Sequence, residues 1–479
     1  MLQSTKDCTG TQEENKDVHN VNRTKITRLS LLFDGMVVFR GIIGDPVAVS
    51  FQKLLQGIGS REFDLMAIYK DYHHFCSLAT QVHWPDYLWE RMLQDDNELA
   101  RQTAQQGKDR VPAGLRRLAG RELLYLRELA GLKAEDIKDA VKARCAEQGA
   151  EEPGLWLEEP LSPESWPGWL SLPDMDREKE TYAKEGNQAE LYLLASQKRL
   201  KQSLLQGRSE EMVEALLAYY QTMGTGLFGR CMALKWRSRT ERLEGVHPEP
   251  MRISKLINQE REQGIILQNT EFFLKGLPAN NVILYGNRGT GKSSLVKALV
   301  QEYSEQGLRL VELSKTDLHD YPKIIRLLAK QPLKFILFID DLSFEDTESD
   351  YKNLKTLLEG GLEGKPQNVL IYATSNRRHL IRETFGERQV EEVHRRDNME
   401  EKLSLSDRFG ITVTFPTPDQ EGYLKIVEEL ATQEGLTLPK EELRQQALRW
   451  VMNHNARSGR TARQFVDFLV AREGLAAQQ

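Results

Sequence analysis

The sequence predicts an α/β fold: a five-stranded parallel sheet with helices on both faces, behind a mainly helical N-terminal region and ahead of a small C-terminal helical lid. Three observations predict it. Beyond His247-Pro-Glu-Pro250, short β-branched and aromatic runs alternate with helical periodicity, as strands joined by crossover helices do. A glycine-rich segment, Gly286 to Ser293, stands between one such strand and one such helix. An apolar run, Phe335 to Ile339, ends in the paired acids Asp340 and Asp341, for which a buried strand has no structural use.

Taken in order, residues 1 to about 25 read as a solvated tail with scattered apolar residues. Residues 26–245 carry mostly helical spacing, as at Met212, Ala215, Leu216 and Tyr219. A Pro- and Trp-rich stretch, Pro153 to Pro173, cannot continue a helix and reads as an ordered loop whose Trp156, Trp166 and Trp169 pack on something. The α/β core is expected over 246–417, with strands at Asn281–Tyr285, Leu308–Leu313, Phe335–Ile339, Val369–Thr374 and Ile411–Phe415. Their near-continuous apolar character suits strands covered on both faces. Thr417-Pro-Asp-Gln420 reads as a capping box that opens a helix ending near Gly435, and helices over 440–453 and 459–473 complete a lid at 418–479.

Composition narrows the function. Of 479 residues 40% are hydrophobic and 28% charged, so the chain can bury a core. No apolar stretch reaches the ~20 residues of a membrane span, and the N-terminus lacks a signal-peptide core, so no membrane partner and a cytoplasmic location are expected. Four scattered cysteines without CxxC spacing suggest neither a disulfide framework nor a zinc cluster. With 65 basic and 71 acidic residues the net charge is -6, which makes nucleic acid a less favoured partner.

Gly286-Asn287-Arg288-Gly289-Thr290-Gly291-Lys292-Ser293, followed by Ser294, fits GxxxxGK[ST] in strand-loop-helix context, the P-loop NTPase phosphate site. Its glycines let the backbone turn tightly and aim N–H groups at phosphate oxygens. Lys292 would reach the β- and γ-phosphates of ATP. Ser293 would ligate Mg²⁺, with Asp340 holding the ion through water. Asp341 would orient the attacking water, the alternative being that it caps the following turn. Asn376, at the end of Val369 to Asn376, stands where ligands meet parallel sheets and would hydrogen-bond the γ-phosphate or the water, unless it forms only an Asx turn. Arg408, in Ser404-Leu-Ser-Asp-Arg-Phe-Gly410, resembles an arginine finger acting on a neighbouring subunit, with a salt bridge to Asp407 as the alternative.

These residues resemble the AAA+ superfamily, and more closely a bacterial family of uncharacterised AAA+ ATP-binding proteins. The resemblance covers about 246 to 475 and is carried by Gly276-Leu-Pro-Ala-Asn-Asn-Val282, Phe338-Ile-Asp-Asp-Leu-Ser-Phe344, Ala373-Thr-Ser-Asn-Arg-Arg-His379 and Lys402-Leu-Ser-Leu-Ser-Asp-Arg-Phe409. It implies that Met251 to Leu274 is a linker beside the adenine, with Ile253, Leu256 and Ile257 as apolar contacts or as ordinary packing residues. It also implies that Arg463 is the lid's sensor of nucleotide, with Arg460 as the competing choice. Leu318 and Tyr321 fall where ring-forming motors carry pore residues.

Three signals are discounted. Gly224-Thr-Gly-Leu-Phe-Gly229 matches GxGxxG without the βαβ unit it needs. Ser314-Lys-Thr-Asp317 precedes the acidic strand, so ATP is preferred to GTP. His73, His74, Cys76 and His83 fit a packed helix rather than a metal site. The charge-balanced segment from Arg377 to Arg408 reads as a surface excursion. The expected function is an ATP-hydrolysing, magnesium-dependent AAA+ ATPase, working as a homo-oligomer such as a ring, that remodels or switches an unidentified protein client chosen by the N-terminal region. The alternatives are an ATP-gated nucleic-acid factor of the initiator or helicase-loader type and a weakly hydrolysing nucleotide-dependent scaffold.

Overall fold

The computed structural model describes residues 23–79, 83–147, 161–169, 187–342, 358, 366–376, 408–454 and 457–476. They divide into two compact units: the first takes the described residues up to 169 together with Ala195–Gln221, and the second takes the rest. Among the described residues no helix is long and apolar enough to cross a membrane.

The first unit is helical, with α1 (23–34), α2 (Pro46–Gly59), α3 (Leu65–Ala79), α4 (Trp84–Gln94), α5 (Glu98–Gln106), α6 (Ala113–Ala130), α7 (Ala134–Glu147), part of α8 (Gln188–Gln206), and α9 (Ser209–Met223). Helix α1 includes 23–25, which the sequence assigned to the tail; residues 1–22 lie outside the described residues. Asp45 starts α2 by accepting the N–H groups of Val47 and Ala48, with Pro46 in the first helical position. Phe51 of α2 sits at the centre of the core, its ring centroid 4.8 Å from Phe75 and 4.4 Å from Trp84. The Pro- and Trp-rich stretch packs here: Trp169 lies 5.7 Å from Phe51, and Trp166 lies 4.8 Å from Tyr72. Trp156 lies outside the described residues. The buried carboxylate of Glu122 accepts the backbone N–H groups of Val37, Val38 and Phe39, which resolves both an orphan charge and three orphan donors.

The second unit holds a seven-stranded sheet: β1 (Ala233–Arg237), β2 (Arg242–Val246), β3 (Val282–Gly286), β4 (Leu308–Glu312), β5 (Lys334–Ile339), β6 (Val369–Ser375) and β7 (Ile411–Phe415). Their order is β2-β1-β4-β5-β6-β3-β7. The five expected strands are β3 to β7, all mutually parallel, in registers such as Val282↔Tyr372 and Phe335↔Val369. Helices α10 (Glu260–Leu274), α11 (Lys292–Tyr303) and α12 (Tyr321–Leu328) accompany them.

One expectation fails at the sheet's edge. Residues up to 245 were assigned to the helical region, yet β1 pairs in parallel with β4 and β2 returns antiparallel on β1, which makes the sheet seven-stranded and mixed. The cause is a five-residue alternating strand and an exposed edge strand, both too short to outweigh the helical spacing before them. Buried Arg309 of β4 then fastens the preceding chain by donating to the carbonyls of Met223 and Phe228. Leu318 and Tyr321, which fall where ring-forming motors carry pore residues, are buried in the sheet's core.

The lid consists of α13 (Gln420–Gln433), α14 (Lys440–His454) and α15 (Gly459–Ala476), around a core that includes Tyr423, Val427, Ala447, Ala462 and Val466. Its first cap differs from the capping box: Asp419, not Thr417, accepts the N–H of Gly422 at 2.8 Å. Thr417 is engaged elsewhere, because its hydroxyl accepts a hydrogen bond from Asn287 of the P-loop at 2.7 Å.

Candidate functional site

The site forms at the carboxyl ends of β3, β5 and β6, where an open parallel sheet presents ligands to its loops. β3 ends at Gly286, and α11 starts at Lys292 behind Gly291, whose φ of 88° only glycine adopts without strain. A side chain on Gly289, at φ 78°, would meet Ser458 at 2.8 Å and Arg460 at 3.1 Å, so the start of the lid helix α15 lies directly on the P-loop. Asn287, Arg288, Thr290 and Ser294 complete this turn, with the Thr290 hydroxyl donating to the Asn287 carbonyl at 2.9 Å.

Lys292 is the charged hub. Its ammonium donates to the Gly286 and Asn287 carbonyls at 2.7 and 2.8 Å and to Oδ1 of Asn376 at 3.1 Å. Burial lowers its pKa below the ordinary lysine value; Asp340 and Asp341 pull it back up, and the cation of Arg460 lowers it further. Asn376, at the end of β6, bridges from Lys292 to Asp341, because its Nδ2 donates to Asp341 Oδ1 at 2.6 Å. The chain that follows each of these two residues, 343–357 and 377–407, lies outside the described residues. At the tip of β5, Ser293 Oγ donates to Asp340 Oδ1 at 2.6 Å. A serine hydroxyl and a carboxylate are hard oxygen donors on one side of a phosphate loop, a set that suits Mg²⁺, which keeps most of its waters and takes few protein ligands.

These groups line a cavity of about 800 Å³ together with the linker residues Met251, Leu256 and Ile257 and the lid residues Ile426 and Leu430, which give it an apolar end. Ile253 is not among its lining residues, and Ile257 both lines it and belongs to the lid core. Arg463 lines the cavity but is paired with Glu434 at 2.7 Å, an ion pair within the lid. Arg460 lies nearer the P-loop and is the lid cation felt by Lys292. Arg408 is half-buried in the turn before β7 and does not line this cavity; Asp407 and the segment 377–407 lie outside the described residues. Sequence reasoning missed Gln259, whose amide lies against Gly291 and donates to the Thr290 carbonyl at 2.7 Å. No motif marks it.

A P-loop on β3, acids on β5 and a polar amide on β6 between them, in the strand order β4-β5-β6-β3-β7 and under a three-helix lid, define a nucleotide-binding P-loop protein of the AAA+ class. The chain belongs to the family described as "Protein of unknown function (DUF815)", which it matches over residues 229–473. It is similar to a "Proteasome-activating nucleotidase" of Methanoregula boonei, 28% identical over 206 residues, which are 38% of this chain and 43% of that protein. A "Replication factor C large subunit" of Staphylothermus marinus is 37% identical over 79 residues, 16% of this chain and 18% of that protein. The chain thus spans less than half the length of either relative. Among solved structures, the Thermotoga maritima RuvB Holliday junction branch migration motor matches 46% of this chain and 63% of its own, at 16% identity and a TM-score of 0.32. A likeness that loose carries no argument about function.

Proposed function

We propose that this chain is an ATP- and Mg²⁺-dependent AAA+ ATPase that works as a homo-oligomer and uses hydrolysis to switch or remodel a macromolecular client. The observation that carries the proposal is the meeting of Lys292, Asn376 and Asp341 in one hydrogen-bonded line, beside Ser293 and Asp340, in a single cavity. The line runs from the group suited to the terminal phosphates to the group suited to the attacking water. Mg²⁺ bound beside Ser293 and Asp340 would neutralise charge on the phosphates. Lys292 would hold the terminal phosphates, and Asn376 would fix the Asp341 carboxylate toward the water it orients. The apolar end formed by Leu256, Ile257 and Ile426 supports a purine base there. Arg408 would complete the site of a neighbouring copy, a reading supported by its position outside its own cavity.

Calorimetric ATP titration together with a phosphate-release assay tests the reading. Wild type should bind ATP in the presence of Mg²⁺, and Lys292→Ala should abolish binding. Asp341→Asn should keep ATP bound while turnover falls by about 10²-fold or more, the scale on which a general base acts. Equal ATP affinity in wild type and Lys292→Ala would sink the proposal.

A further inference from the structure

We infer that Thr374 is a positioning residue that sets both acids of the nucleotide site, Asp340 through its carboxylate and Asp341 through its backbone. The inference rests on the ATPase reading above and adds a residue to it. Thr374 lies on β6 and is 1% exposed, and its hydroxyl is hydrogen-bonded to both acids. The hydroxyl accepts the backbone N–H of Asp341 at 2.9 Å and donates its proton to Asp340 Oδ1 at 2.6 Å. The roles are fixed by chemistry: an amide N–H can only donate, so the single hydroxyl proton is left for the carboxylate.

Two consequences follow. Asp340 Oδ1 receives both Ser293 Oγ and Thr374 Oγ1 at 2.6 Å, so its carboxylate is set at once from helix α11 and from strand β6. Asp341 stands at φ 53°, a left-handed conformation uncommon for a residue other than glycine. The bond to Thr374 restrains it there, and it turns the Asp341 side chain to where Asn376 meets it at 2.6 Å. Thr374 therefore acts through its neighbours: it helps Asp340 hold the ion and helps Asp341 hold the water.

The test uses the full chain with Thr374→Val, which keeps the shape and loses the hydroxyl, and Thr374→Ser, which keeps the hydroxyl. Calorimetric ATP titrations at a series of Mg²⁺ concentrations give the Mg²⁺ requirement, and phosphate release gives kcat and KM. Loss of a group that orients a metal ligand typically costs 10–100-fold in metal affinity or activity. Thr374→Val should therefore need about tenfold more Mg²⁺ for half-maximal ATP binding, with kcat lowered by about tenfold or more and KM for ATP at saturating Mg²⁺ little changed. Thr374→Ser should stay within about threefold of wild type in each. If Thr374→Val does not fold, as thermal unfolding would reveal, Thr374→Ala takes its place. A Val or Ala protein with wild-type Mg²⁺ requirement overturns the inference and leaves the ATPase reading intact. A Ser protein as impaired as the Val protein also overturns it, since shape and not the hydroxyl is then what counts. Failure of the wild type to bind ATP would overturn both readings together.

Discussion

Arg460 and Arg463 sit one turn apart on α15, and their neighbours differ. The guanidinium of Arg463 is spent on Glu434, an exposed pair of the kind worth about 0–1 kcal/mol. Arg460 has its Cβ 3.1 Å from where a side chain on Gly289 would begin, and its charge reaches Lys292. Arg460→Ala is expected to weaken ATP binding by about tenfold, the scale of one charge-assisted hydrogen bond, and to narrow the preference for ATP over ADP. Arg463→Ala should leave nucleotide affinity within about threefold and change lid stability by less than about 1 kcal/mol. Parallel ATP and ADP titrations of both proteins check this, and the reverse ranking would restore Arg463 as the sensor. At this scale the P-loop and Asp340 were legible in the sequence because backbone geometry and phosphate charge demand those residue types at that spacing. The difference between the surroundings of the two arginines was not, because the partner of Arg463 is a glutamate 29 residues away, and Gln259 was not, because an amide over a glycine leaves no periodic mark.

Among the elements, the five parallel strands were readable because both of their faces are covered, which forces runs such as Phe335 to Ile339 to be wholly apolar. The β1–β2 hairpin follows no such rule. Its outer strand is largely exposed, and beside the apolar packing of Leu234 and Trp236 it has a polar hold: buried Asp320 accepts hydrogen bonds from Trp236 Nε1 at 3.0 Å, from Ser238 and from Lys323. Burial alone would raise the Asp320 pKa, but these donors outweigh it and hold the carboxyl at about 2. A depressed folded pKa gives stability that is complete above the unfolded aspartate value near 3.9 and is lost as pH falls toward 2. Asp320→Asn should therefore destabilise the protein by about 2–3 kcal/mol at neutral pH, and the gap between variant and wild type should close between about pH 4 and pH 2. Denaturant unfolding at pH 7 and at the lowest pH where both proteins stay folded measures it. A gap that is the same at both would mean that the asparagine merely packs badly.

At the scale of the whole molecule, the sequence located a helical region, a nucleotide core and a lid, but set the start of the core too late, since β1 and β2 enter the sheet from the far edge and are recognisable only once β4 is in place. Assembly is the remaining property at this scale, and Arg408 is the residue that tests it. It stands in the turn before β7, while the cavity around Lys292 is lined by other residues of its own chain. A cation that acts only on a neighbour's phosphates cannot help a monomer, so turnover per chain should rise with protein concentration. Arg408→Ala should lower turnover by about 10³-fold, as for other fingers supplied in trans, and should leave ATP binding largely intact. A mixture separates this from a structural role: Arg408→Ala chains keep intact P-loops, and Lys292→Ala chains keep intact fingers. In a mixed oligomer some P-loops then meet a finger, and two inactive proteins should regain part of the wild-type rate. If turnover is independent of concentration, and the mixture stays inactive while both variants remain folded, Arg408 holds only its own chain and each P-loop works without a neighbour.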